Sequence, residues 1–168
     1  DNHSIVYPGT CLNKNVDGNF VAYRLNIKKT LQSIDSNSLK FIETGHKSNR
    51  EGIEQRISPD ELIAKFGDIV IARKDIGTSY NLAVVVDDAE QKVTHVTRGD
   101  DLFDVTPIQV LLQNTLNIST PVYNHHKLIL DDLGNRMAKR SYSNSIASLK
   151  ERGITPTQIF DLISVKVN

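Results

Sequence analysis

The chain has 168 residues, 39% apolar and 24% charged, the composition of one ordinary globular domain with a core of its own. Twenty basic residues balance twenty acidic ones, which argues against a general nucleic-acid coat but leaves room for a local basic patch. The one cysteine, Cys11, excludes an internal disulfide framework and fits a reducing cytoplasm, and apolar runs such as Ala83 to Val86 are far too short to span a membrane.

Asp1-Asn2-His3-Ser4 carries no signal-peptide pattern, and no initiator Met is present, so the chain is expected to begin inside a longer protein. Residues 1–19 are rich in turn formers (Pro8, Gly9, Asn13, Asn15, Asp17, Gly18) and read as an irregular opening segment. Phe20 to Ile27 alternates as a strand. Residues 32–58 read as a loop-rich insertion with a weak strand at Leu39, Phe41 and Ile42. Ser58-Pro59-Asp60-Glu61 starts a short helix, with Ser58 as N-cap, Pro59 at the first helical position and Glu61 three residues past the cap. Asp68 to Ala72 reads as a short buried strand.

Ser79 to Asp88 is open between two states: its valines favour a strand, its length a helix. Lys92 to Thr97 alternates as a strand ending at Arg98-Gly99. Thr106-Pro107 opens a helix with an apolar stripe at Ile108, Leu111, Leu112 and Leu116. Val122 to Leu130 is extended, and 131–135 is a turn. Ser143 to Arg152 forms a second amphipathic helix stopped by Gly153, and Thr155-Pro156 starts a last one running to about Ile163. Strands and helices alternate, so the fold class is α/β.

Four constellations bear chemistry. Arg136-Met137-Ala138-Lys139-Arg140 follows a turn; three cations in five residues suit a loop closing on a polyphosphate, or simply a solvated basic loop. Thr97-Arg98-Gly99-Asp100-Asp101 ends a strand, where α/β proteins bind ligands. Arg98 there can hold a carboxylate with two parallel hydrogen bonds, and the two Asp residues can orient it or receive an ammonium group; the plainer reading is a surface turn with a local ion pair. Tyr80 can recognise a small polar substrate through its hydroxyl or serve only in packing. Tyr7 and Cys11 are at most two zinc ligands, short of the four a structural site needs. His125 and His126 are neighbours on an extended segment, so their rings point to opposite sides and form no metal clamp.

Taken in order, these pieces resemble the glutamyl-type class I aminoacyl-tRNA synthetases. The segments Tyr80 to Asp88 and Val93 to Leu102 are similar to that family's amino-acid-binding region, and Thr106 to Leu116 to the helix that follows. His126-Lys127-Leu128-Ile129-Leu130 and Arg136 to Arg140 are similar to its ATP-binding strand and its second signature, the KMSKS loop. The resemblance covers residues 68–160 well and the front more loosely. It implies an ATP-dependent ligase with Mg²⁺ entering with the nucleotide. Lys139 would be the catalytic lysine on the phosphates, helped by Arg136 and Arg140; Met137, Leu128 and Ile129 would lie at the adenine, and Tyr80 and Arg98 would hold glutamate, with Arg98 on its side-chain carboxylate. Arg136 stands where the signature has Lys, and Ala138 where it has Ser.

Val84 stands where the long glutamyl enzymes carry Asn, a departure the short queuosine-directed relatives tolerate. Those relatives attach glutamate to queuosine in tRNA(Asp) and carry a zinc module, Cys-x-Cys followed by Tyr-x-x-x-Cys. Tyr7 to Cys11 resembles its second half, which implies a zinc site completed by upstream cysteines. No HIGH-type signature is found, so the chain is expected to be the back half of such a core, its N-terminal half missing, and inactive alone. The division implied is 1–67 as a partial insertion and zinc-module-like segment, 68–142 as the second half of a Rossmann-like catalytic fold, and 143–168 as a C-terminal helical segment. Glutamate and tRNA are the expected partners, with no membrane and a cytoplasmic location. The alternatives are a truncated enzyme charging a tRNA 3′ end, an inactive remnant that binds RNA or a partner, and a tRNA-independent amino-acid ligase.

Overall fold

The computed structural model describes residues 6–12, 14, 21–48, 52–73, 75, 77–130 and 145–167. The elements in chain order are β1 (Ala22–Leu25), α1 (Ile27–Leu31), β2 (Lys40–Glu43), β3 (Ile53–Arg56), α2 (Pro59–Phe66), β4 (Ile69–Arg73), β5 (Gly77–Thr78), α3 (Tyr80–Glu90), β6 (His95–Gly99), α4 (Thr106–Thr115), β7 (Val122–His126), α5 (Ile146–Glu151) and α6 (Pro156–Val167). One-turn 3₁₀ segments of this kind occur at Ser36–Ser38 and, longer, at Asp100–Val105.

The strands form two sheets. The smaller runs β1-β4-β5, antiparallel throughout. The larger runs β3-β2-β7-β6: β2 and β3 are an antiparallel hairpin, while β2–β7 and β7–β6 are parallel. Parallel joints are the mark of α/β architecture, because each needs a crossover through the layer of helices. Here α4 is the crossover from β6 to β7.

Local chemistry accounts for most helix starts. Ser58 caps α2 by accepting from Glu61 N, with Pro59 opening the helix. Ser79 caps α3 by accepting from Leu82 N, which settles the open segment in favour of helix. The valines then fall on different faces: Val85 is buried and Val86 largely exposed. The strand expected from Lys92 begins only at His95, because Lys92 takes a left-handed conformation just past the end of α3. The expected strand at 68–72 is β4, half-buried rather than buried.

The main core joins Ile27, Leu39 and Leu62 to Val85, Ile108, Leu111 and Leu112. Residues before and after position 67 therefore share one core. Helix α4 is wider in its burial than a stripe: from Thr106 to Gln113 every residue but Pro107 is buried, and Leu116 at its end is exposed. A second cluster, Phe41, Val110 and Tyr123, lies where β2 and β7 meet, with Phe41 and Tyr123 packed edge to face. No helix among the described residues is long and apolar enough to cross a membrane.

Candidate functional site

The C-terminal ends of parallel β6 and β7 carry Arg98 and His125 side by side, in direct register. Arg98 is half-buried and bonded to four neutral acceptors. Its Nε–H donates to His125 Nε2 (3.0 Å), Nη1 to Gln109 Oε1 (2.7 Å), and Nη2 to Thr106 Oγ1 (2.7 Å) and the Leu102 carbonyl (3.3 Å). The guanidinium also lies 5.0 Å from the centroid of the Tyr123 ring. A guanidinium has five N–H donors, so one remains open here. Among the described residues no carboxylate forms an ion pair with it. The result is a partly desolvated cation, rigidly aimed and in contact with no described carboxylate, an arrangement that favours an incoming anion.

Asp100 receives an ammonium group, pairing with Lys47 (3.0 Å) and approaching His46 (3.6 Å), while the Lys47 ammonium sits 4.0 Å over the Phe103 ring.

Behind Arg98 is a group that sequence reasoning passed over. Glu43 and His125 are both 0% exposed. Glu43 Oε1 accepts from the amides of Gly45 (2.7 Å) and His125 (3.0 Å), and Oε2 accepts from His125 Nδ1. Because Nε2 receives the Arg98 proton, the imidazole is neutral and carries its own proton on Nδ1. Burial pushes the His125 pKa below its usual value, and the Arg98 cation adds to this against the opposing pull of Glu43 and Asp100. A signal for the pair does exist in the sequence. Glu43 shares the inward phase of β2 with Phe41, and His125 that of β7 with Tyr123. The adjacent His126 faces outward, as its place in a strand requires.

Tyr80 belongs to the same end of the molecule. It is 56% exposed on the first turn of α3. Its neighbour Asn81 accepts from Gln109 Nε2 (3.2 Å), and the other end of that amide holds Arg98. Gln109 thus ties the start of α3 to the end of β6. Leu128 and Ile129 are half-buried just past β7. Gly99 leaves room for them, since a Cβ there would stand 2.9 Å from Leu128 Cδ2. Arg136, Met137, Lys139 and Arg140 lie outside the described residues.

Tyr7 and Cys11 lie on the other sheet's side, beside Arg24 and Asp68. The Tyr7 hydroxyl accepts from Cys11 N (2.7 Å), and the Arg24 guanidinium covers its ring at 4.1 Å. Among the described residues no cluster of three His, Cys, Asp or Glu side chains could hold a metal. Two donors, one of them turned onto the backbone, do not make a tetrahedral zinc site.

Comparison with known proteins identifies a family. The family of tRNA synthetases class I (E and Q), catalytic domain, matches residues 26–166. The glutamyl-Q tRNA(Asp) synthetase of Rhodobacter capsulatus is 42% identical over 163 residues, covering 96% of this chain and 57% of that protein. The glutamate–tRNA ligase of Buchnera aphidicola is 35% identical over 157 residues, covering 94% of this chain and 31% of that protein. Among solved structures, the glutamate-tRNA synthetase of Elizabethkingia anophelis aligns with a TM-score of 0.47 and 25% identity, over 60% of this chain and 19% of that one. The chain spans about half, or less, of the length of the relatives it matches. A catalytic-domain match over most of the sequence, met by near end-to-end similarity to two such enzymes, shows that this chain belongs to the class I tRNA synthetases of the glutamate and glutamine type.

Proposed function

We propose that the protein to which this chain belongs activates glutamate with ATP and transfers the glutamyl group to tRNA, with queuosine of tRNA(Asp) as the acceptor. The observation that carries the reading is Arg98: a half-buried guanidinium, fixed by four neutral acceptors, unpaired with any described carboxylate, at the strand ends where α/β proteins bind ligands. A glutamate carboxylate supplies the missing charge. Tyr80, exposed and tied to Arg98 through Asn81 and Gln109, is the second glutamate-binding residue.

In this mechanism Arg98 and Tyr80 orient the amino acid, and Leu128 and Ile129 provide an apolar surface for the adenine. Arg136 and Met137 extend the nucleotide site, and Lys139 stabilises charge developing on the phosphates as glutamate displaces pyrophosphate at the α-phosphorus. Mg²⁺ enters with ATP. Such catalysis is positioning and electrostatic stabilisation, without a covalent enzyme intermediate. The residues before position 68 and the C-terminal helices flank the catalytic segment 68–142 in this scheme. Zinc belongs to it only if cysteines upstream complete the set begun by Cys11; Tyr7 and Cys11 alone do not fit the ion, and no step depends on it.

Support for the queuosine-directed acceptor comes from the R. capsulatus relative, more similar than the B. aphidicola ligase and matched over a larger share of its length. The decisive experiment uses the full-length protein. Glutamate-dependent ATP–pyrophosphate exchange is expected, followed by transfer of labelled glutamate to tRNA(Asp) containing queuosine and not to the same tRNA without it. Transfer to both tRNAs alike, or to a 3′ end, would replace the acceptor. No exchange under any condition would reject activation altogether.

A further inference from the structure

The site just described contains a buried acid and a buried imidazole that need never touch substrate. We propose that Glu43 and His125 are positioning residues for Arg98: they form a carboxylate–imidazole–guanidinium chain that fixes the plane of the guanidinium and so sets affinity for the amino-acid substrate. The proposal rests on the reading that Arg98 receives the substrate carboxylate.

The donor and acceptor pattern gives the argument its direction. Glu43 faces three donors: the amides of Gly45 and His125, and the Nδ1–H of the His125 ring. Only an acceptor-only side chain suits all three. The carboxylate in turn holds the imidazole proton on Nδ1, leaving a lone pair on Nε2. That lone pair takes the Arg98 Nε–H at 3.0 Å, the donor nearest the stem and one of the four bonds that set the plane of the guanidinium. Phe103 and Tyr123 enclose the ring, edge-on at 5.1 Å and stacked at 5.8 Å, so it cannot turn over without disturbing the core. Gly45 lets the β2 end come this close; a Cβ there would stand 2.2 Å from the His125 carbonyl oxygen. The same logic orients histidines in metal sites, where a carboxylate on one ring nitrogen fixes what the other presents. Here the cation at the far end is a guanidinium.

Three substitutions in the full-length protein separate the links. In Glu43→Gln the amide –NH₂ must face a donor whichever way it points. Facing Nδ1, it forces the proton to Nε2, against Arg98 Nε–H. His125→Asn keeps a donor near Nδ1 for Glu43 and offers Arg98 no acceptor. His125→Gln reaches the Nε2 position with its carbonyl oxygen and serves Arg98, but leaves Glu43 short of one donor. In ATP–pyrophosphate exchange, Glu43→Gln and His125→Asn are expected to raise KM for glutamate by about 10-fold or more, with KM for ATP unchanged. His125→Gln is expected to stay closer to wild type. A purely structural pair would give the opposite ranking, since His125→Asn leaves the buried carboxylate better satisfied; that ranking, or equal rises in both KM values, overturns the proposal.

Ring ¹⁵N resonances provide a readout apart from catalysis. In the wild-type protein Nδ1 should be protonated and Nε2 bare, and in Glu43→Gln the reverse; Nε2 protonated in the wild type overturns the chain of bonds. Arg98→Ala distinguishes this idea from its foundation. If Arg98→Ala loses glutamate while Glu43→Gln and His125→Asn retain wild-type KM, the positioning role is wrong and the substrate reading stands. If Arg98→Ala keeps wild-type KM for glutamate while the ¹⁵N pattern is as expected, the substrate reading fails and takes the functional role of the pair with it.

Discussion

Arg98 and His125 show how a single proton position can govern a site. Replacing Arg98 by Lys keeps the charge but not the planar fork that reaches His125, Gln109 and Thr106 together. In the full-length protein Arg98→Lys is expected to weaken glutamate binding at least about 10-fold, measured as KM in exchange, with ATP binding preserved. His125 also leaves a mark on stability. Its pKa is lowered in the folded protein, above all by burial, so the unfolded chain takes up a proton at higher pH than the folded one. The stabilisation tied to the neutral ring is complete above the ordinary histidine pKa, about 6.5, and is lost as pH falls from there towards the lowered value. Urea midpoints measured between about pH 7.5 and 5.5 should fall with pH, and His125→Asn should flatten that part of the profile. Arg98 and Tyr80 could be named from motifs of fixed order. Strand phase turns Glu43 and His125 inward, but nothing local pairs two residues 82 positions apart.

Elements with local signals were readable, and those that depend on partners were not. Ser58-Pro59 announces α2 and Gly153 marks the end of α5, because caps are chemistry between near neighbours; the start of α5, read at Ser143, has its cap at Ser145. The valines at 84–86 left α3 open, and its Ser79 cap decided for helix. Ser79→Ala is expected to cost about 1 kcal/mol in urea denaturation, since Leu82 N loses its acceptor. Strand β3 was missed inside the loop-rich insertion, as Ile53-Glu54-Gln55-Arg56 is mostly polar and becomes a strand only by pairing with β2. Helix α4 reads as half-polar because Gln109 and Gln113 interrupt its apolar positions. Both are buried, bonding Arg98 and the Tyr123 hydroxyl. The turn after β2 is the tightest joint. Gly45→Ala forces backbone apart at 2.2 Å and should destabilise the protein by about 2–3 kcal/mol, read as a lowered denaturation midpoint.

At the scale of the molecule, one core crosses the boundary near residue 67 that the family resemblance implies. Ile27, Leu39 and Leu62 pack on Val85, Ile108 and Leu111, and β2 pairs with β7. A fragment of residues 68–168 would expose one side of that core, including the otherwise enclosed α4. It should show no cooperative thermal unfolding, whereas the full 168-residue chain should; a sharp calorimetric transition in the fragment would show that the later residues form an independent unit. The α/β class was evident from the alternation of elements. The strand order was not, because β2 enters the larger sheet beside a strand some eighty residues later, and periodicity says nothing about which distant edge a strand will meet.

That distant pairing has a consequence for synthesis on the ribosome. The β2–β3 hairpin emerges well before β7, and with His125 82 positions after Glu43 the wait is roughly 4–16 s at ordinary elongation rates. Throughout that interval β2 presents an open edge, the kind of surface on which nascent chains stick to one another. A carboxylate on the inward phase of that edge discourages such mispairing until the imidazole and amide of His125 arrive to receive it. The acid that orders the finished site is thus also a guard on the unfinished one.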